Sequence, residues 1–267
     1  WSPPPPLPAN LGLELHSQPT TARFDGMQIP AGPDLEVITR FTVESWIKPV
    51  HSTPWAVMSV VGKPHPAGGV STYRLMAWSG ADGADFVPAA TVYTSDGTVR
   101  DIFGPGIKPG TWHHMALTYD ADGGADNMKL YVDGQPAAQS TATGEVVSSN
   151  RAIRVGTNYP EGWPYNIFNG CIDELRFWNV VRSGQEIADH YRSALSGDEP
   201  GLVGYFPLDG TTLDATGNGN DGVLSHQESF CSGAWPGAGP AAFITSPTAL
   251  SGKVGASLSY QITATNA

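Results

Sequence analysis

Four groups of residues have the types and spacing to do chemistry. Asp173 and Glu174 are the nearest pair of carboxylates on a strand-like run. Glycoside hydrolysis needs two such groups flanking one bond, but adjacent residues of a strand point to opposite faces, so this pair cannot serve one bond. His113 and His114 are adjacent too, so their imidazoles diverge, and they read as strand residues satisfied by neighbours rather than as joint metal ligands. Asp120, Asp122, Asp126 and Asn127 form one oxygen-rich stretch, and Asp214, Asn218, Asn220 and Asp221 another. The first lacks the Glu and the flanking helices of an EF-hand, and both read as solvated turns. The fourth group is aromatic. Trp163 lies between Tyr159 and Tyr165 in a loop, and exposed rings there can stack on the apolar face of a sugar or anchor a protein contact. Trp55 and Trp78 join that set where they face solvent. The other reading of each ring is ordinary loop packing. Trp46, Trp112 and Trp178 sit in strand blocks and read as core.

No G-x-S-x-G, H-E-x-x-H or glycine-rich phosphate loop occurs, so the common hydrolase and nucleotide-binding chemistries have no carrier here. Cys171 and Cys231, the two cysteines, are 60 residues apart and in no C-x-x-C pair. They fit one structural disulfide in an oxidising compartment, with two buried thiols as the other reading. Asp173 is the most informative single residue. By strand parity it shares the inward side with Cys171, Leu175 and Phe177, and a carboxylate there needs a partner. Either a calcium ion, which gathers six to eight oxygens, or backbone N–H groups from the opening loop would supply one.

The elements that must position these groups are strands. Of 267 residues, 32 are Gly and 23 Pro, and only 15 % are charged, whereas 40 % are hydrophobic. That composition means many turns around a real core. Phe41, Val43 and Ile47 alternate with Thr42, Glu44, Trp46 and Lys48, and Tyr73, Leu75 and Ala77 with Arg74, Met76 and Trp78. Residues 112–119 and 128–132 form two further runs joined by a Gly/Asp loop, and Asp133-Gly134 turns the chain into another strand. Such runs every 8–15 residues predict an all-β, two-sheet antiparallel β-sandwich. One helix is signalled: Ser183 and Glu186 make a capping box, Ile187, Tyr191 and Leu195 recur, and Gly197 stops it. It is expected on the sandwich edge. Lys and Arg number 14 against 25 Asp and Glu, a net charge of −11 that excludes a phosphate-backbone binder. No apolar run is long enough to span a membrane.

The runs also resemble a family. Arg23 to Gly26 before a strand with Phe41 to Pro49, then Gly110 to Asp120 with Met128 to Gly134, then Phe168 to Asn179, resemble in order and spacing a laminin-G-like jelly roll of the concanavalin A-like lectin/glucanase superfamily. The resemblance implies two curved antiparallel sheets, frequently a structural Ca²⁺, and glycan or protein binding. It also points to Asp25 and the carbonyl of Gly26 as calcium partners for Asp173. Glycosidases of the superfamily carry an E-x-D-x-x-E strand, and no such triplet is present. Three regions are expected: a Pro-rich linker over 1–10, a jelly roll with an extension over 11–240, and over 241–267 a linker with strands similar to the start of an Ig or cadherin-like domain. The reading is a non-catalytic, extracellular or cell-surface recognition module, monomeric and part of a larger protein. Its expected partner is a glycan or polysaccharide, alternatively a surface protein.

Overall fold

The structure, a computed structural model, describes residues 10–16, 26–50, 55–80, 85–157, 167–225 and 229–234. In chain order the strands are β1 (Leu11–Leu15), β2 (Met27–Ile29), β3 (Arg40–Pro49), β4 (Val57–Pro64) and β5 (Ser71–Ser79). They continue with β6 (Phe86–Tyr93), β7 (Val99–Phe103), β8 (His113–Asp120), β9 (Met128–Val132) and β10 (Gln135–Ser140). The last are β11 (Ile153–Val155), β12 (Gly170–Trp178), β13 (Leu202–Phe206), β14 (Val223–Leu224) and β15 (Ser229–Ser232), with the helix α1 (Gly184–His190) between β12 and β13. Two antiparallel sheets result. The first has the order β10-β9-β8-β3-β12-β1-β15, with β13 also paired to β12, and the second is β14-β2-β11-β4-β5-β6-β7.

The expected alternation places the core. Phe41, Val43 and Ile47 of β3 and Tyr73, Leu75 and Ala77 of β5 all lie between the sheets and are essentially buried. Leu13, Leu117, Phe177 and Val61 fill the same layer. β-branched and aromatic residues at every second position suit a surface that is pleated and buried on one side.

Parity fails within β12, and there the expectation for Asp173 is corrected. The β12–β3 register shifts between Asp173 and Arg176, and Glu174 takes a φ of 51°. This bulge adds a residue, so Ile172, Leu175 and Phe177 face the core while Asp173 points to the outer face of the first sheet. The bulge is also a fork. Before it β12 pairs with β1, and after it with β13.

The helix has the expected capping box: Ser183 Oγ accepts from the Glu186 N–H, and the Glu186 carboxylate accepts from the Ser183 N–H. It is shorter than its apolar spacing suggests and lies on a sheet face rather than an edge, with Ile187 packed on Ala116 and Tyr131. It ends at His190, where the pattern gives way to a Ser193 N–H bond to the His190 carbonyl, and carbonyls beyond that point are taken by side chains from the sheet. Trp46 Nε1 donates to the Tyr191 carbonyl at 2.9 Å, and Arg176 donates to that of Ser193 at 2.7 Å.

Cys171 and Cys231 form a disulfide with a Cα–Cα distance of 6.5 Å. It joins β12 to β15 with β1 running between them, Cys171 opposite Glu14 and Cys231 opposite Gly12.

Candidate functional site

The outer face of the first sheet is covered around Glu44 and Glu174. Glu44 lies under it, fully buried, accepting from Arg182 and from Trp178 Nε1 at 2.7 Å each, with His114 Nε2 at 3.3 Å. Glu174 accepts from Arg176 at 2.6 Å and from the Tyr205 hydroxyl. Helix α1 and residues 191–200 cover this network, so its charges are structural and out of a ligand's reach.

The outer face of the second sheet is built differently. Residues directly opposite one another on paired strands share a face, so the registers define rows. Val57, Trp78 and Val87 make one row, and Ser59, Met76, Ala89 and Phe103 the next. Beyond them run Gln28, Arg154, Gly62, Arg74, Thr91 and Asp101. Trp78 and Phe103 meet edge to face with centroids 5.5 Å apart. Phe103 is 47 % exposed and Trp55, at the same end of the sheet, 70 %. Ser59, Met76 and Ala89 are fully buried and form a floor between the aromatic pair and Arg74. Trp78 donates its indole N–H to the Met76 sulfur at 3.2 Å, which fixes the ring on the sheet. An apolar shelf thus grades into a polar row bearing two guanidinium groups and a carboxylate.

Trp55 and Trp78 therefore stand at the same end of the second sheet. Tyr159, Trp163 and Tyr165 lie outside the described residues. Their bracketing residues do not: Thr157 bridges Ile167, and Ile167 bridges Ser59 on β4. Sequence reasoning missed Phe103, Arg74, Thr91 and Asp101. Arg74 and Trp78 already share parity in the run from Thr72, but Phe103 and Asp101 join them only through pairing across three strands.

Of the proposed metal ligands, Asp173 and Gly26 lie on different sheets. Asp173 Oδ1 accepts the Glu174 N–H at 2.9 Å and Oδ2 the Ala234 N–H at 2.8 Å, on the outer face of the first sheet. Backbone amides thus supply its partners, from the bulge and the closing strand rather than the opening loop. Burial and the nearby Glu174 carboxylate push its pKa well above the ordinary value. Gly26 belongs to the second sheet, and its carbonyl accepts from the Ser225 N–H at 2.8 Å. Asp25 lies outside the described residues. Among the described residues no cluster of three His, Cys, Asp or Glu could hold a metal.

The other polar groups are accounted for. His113 contacts Asp133 at 2.8 Å, whereas His114 faces the buried network, so the two rings diverge as expected. Asp214 accepts backbone N–H groups of Tyr205, Thr216 and Asn220, and Asn127 bonds the Asp120 and Ala142 carbonyls. Both oxygen-rich stretches are turns held by their own side chains.

A laminin-G-type family profile, described as the concanavalin A-like lectin/glucanases superfamily, matches residues 21–188, more than half of the chain. The chain is similar to the sushi, von Willebrand factor type A, EGF and pentraxin domain-containing protein 1 of Rattus norvegicus, 32 % identical over 89 residues. That match covers 31 % of this chain and 2 % of the rat protein's length. Among solved structures, it is similar to a protein from Bacteroides ovatus described as a candidate carbohydrate-binding protein. That similarity has a TM-score of 0.59 and 19 % identity, over 78 % of this chain and 59 % of the other. It is also similar to the native heptameric SAP-like pentraxin of Limulus polyphemus, with a TM-score of 0.50 and 14 % identity, over 67 % and 79 % of the two chains. At these identities the structural likeness speaks to the fold.

Proposed function

The chain belongs to the concanavalin A-like lectin/glucanases superfamily, and from that premise we propose that it is a non-catalytic, extracellular recognition module of a larger protein. It holds a carbohydrate against the outer face of its second sheet. The observation that carries this reading is the Trp78–Phe103 pair, with the exposed Trp55 at the same end of the sheet, an aromatic shelf beside a row of hydrogen-bonding side chains. Carbohydrate sites combine those two surfaces because a sugar ring has apolar faces and a polar rim. The absence of catalysis is supported by Asp101, the single carboxylate among the described outward strand residues of this sheet. One carboxylate cannot act as both acid and nucleophile or base. The extracellular context is supported by the Cys171–Cys231 disulfide. No described helix is long and apolar enough to cross a membrane.

A binding screen against a broad polysaccharide panel tests the reading. Saturable binding that falls at least about tenfold in both Trp78→Ala and Phe103→Ala, with unchanged melting temperature, is the expected result. Trp163→Ala measured beside them decides whether the 158–165 aromatics extend the platform. Silence across the panel would move the same apolar shelf to the second reading, a protein-binding adhesion surface. Calcium stays in the proposal on the family resemblance, as an ion near Asp25 and Gly26. Chelation lowering the melting temperature would support it, and an unchanged temperature and metal content would remove it.

A further inference from the structure

We propose that the ligand of this face is acidic, a glycan whose carboxylate pairs with the guanidinium of Arg74 while a neighbouring sugar ring rests on Trp78 and Phe103. The inference rests on the platform reading above and names the chemical class that the platform takes.

Arg74 is the anomaly on this face. It is only partly exposed, its Nε is buried with no hydrogen-bond partner, and among the described residues no hydrogen bond or ion pair reaches its guanidinium. The other enclosed guanidiniums are all engaged: Arg176 bonds Glu174 and the Ser193 carbonyl, and Arg182 bonds Glu44 and the Glu186 carbonyl. A group with five donors in a fixed fork, held partly out of water with none of them used, fits a planar anion from outside. Gly62 keeps that geometry open. It lies opposite both Arg74 and Arg154, and a Cβ there would come within 3.3 Å of Arg74 Cγ and 3.1 Å of Ser71 Oγ. The glycine therefore leaves a shallow gap flanked by two cationic side chains on one face.

Asp101 is the competing anion. It shares the row, and its carboxylate accepts from the Thr91 hydroxyl at 2.6 Å without forming an ion pair with Arg74. Burial lowers the Arg74 pKa and the Asp101 charge only partly restores it, so the cation is under-neutralised where it sits. The chain's net charge of −11 opposes an anion at long range. That field is screened within about 8–10 Å at physiological salt, so contact with the guanidinium decides.

The test measures binding of polygalacturonate, alginate and hyaluronan, each beside its carboxyl-reduced, neutral form. The expected result is that at least one acidic polymer binds about tenfold or more tightly than its neutral form, and that Arg74→Gln removes this preference. Arg74→Lys retains part of it, because the charge stays and the fork is lost. Asp101→Asn strengthens acidic binding by removing the competing carboxylate, and the partial loss in Arg74→Lys, which keeps the charge in place, is the readout that stands if Arg74→Gln fails to fold. Equal binding of acidic and neutral forms, or a preference that survives Arg74→Gln, overturns the proposal and leaves the platform reading in place if Trp78→Ala still abolishes binding. No binding to any of these polymers overturns the acidic-ligand proposal alone, whereas silence across the broad panel as well, or binding indifferent to Trp78→Ala, overturns both.

Discussion

Glu44 shows why the first sheet's outer face is structural. Burial alone would push its pKa up, yet the His114 ring and the charges of Arg176 and Arg182 hold it far below the ordinary carboxylate range. His114 is enclosed between Trp46 and Tyr191, with centroids at 5.6 and 5.4 Å, and burial lowers its pKa despite Glu44. A histidine held low by folding stabilises the native state above its ordinary pKa of 6.5, and that contribution is lost as pH falls below it. Glu44 has the same sign, but its share is lost only below its ordinary value of 4.5. Asp173, Glu174 and Asp209, raised chiefly by burial, act oppositely and do so with or without His114. The stability gap between the native protein and His114→Gln, measured by urea unfolding, is therefore expected to narrow from about pH 7.5 to about pH 5.5. A constant gap would mean that His114 contributes packing and no titration.

At the scale of elements, helix α1 is the piece most exposed to a single local change. It has two turns and one buried apolar residue, Ile187, so its capping box is a large part of what defines it. Ser183→Ala is expected to cost about 1 kcal/mol, read as a lower melting temperature, while the second sheet's binding face stays intact. The cap was legible in the sequence because it is a contact three residues long. The course of the chain past the helix was not, because Trp46 and Arg176, far away in sequence, hold the Tyr191 and Ser193 carbonyls. Strands β3, β5, β8 and β9 were legible for the converse reason, since alternation is written within each run. The bulge at Asp173 and Glu174 was hidden: it depends on β12 changing neighbours from β1 to β13, and its one local sign is that Ile172 and Asp173 fall on the wrong sides of the alternation. Of the candidate site, Trp55 and Trp78 could be named from their residue type, but the rows that set Arg74 and Phe103 beside them exist only once β4 to β7 are paired.

At the scale of the whole molecule, the disulfide holds the last described strand to the sheet. β15 pairs with β1 alone, through four residues, and Ala234 beyond it supplies one of the two amides that satisfy Asp173. Closing a 60-residue loop is worth roughly 4 kcal/mol on the chain-entropy view. Replacing both cysteines by serine is thus expected to lower unfolding free energy by up to about that amount, and to raise hydrogen exchange first in β15 and β1. Uniform loss of protection would instead place the bridge in the global unfolding unit. The pairing of Leu11 with Ser232, and of the Gly233 N–H with the Asn10 carbonyl at 3.0 Å, sets the entry and exit of the sandwich side by side. Tension applied through those two points would open β1 and β15 like a zip, one hydrogen bond at a time, with a covalent stop at Cys231 for β15 and none for β1. Residues 12–170, with the aromatic shelf among them, lie between the pulled end and that bridge, so the shelf stays unloaded only while the backbone pairing of β1 with β12 holds.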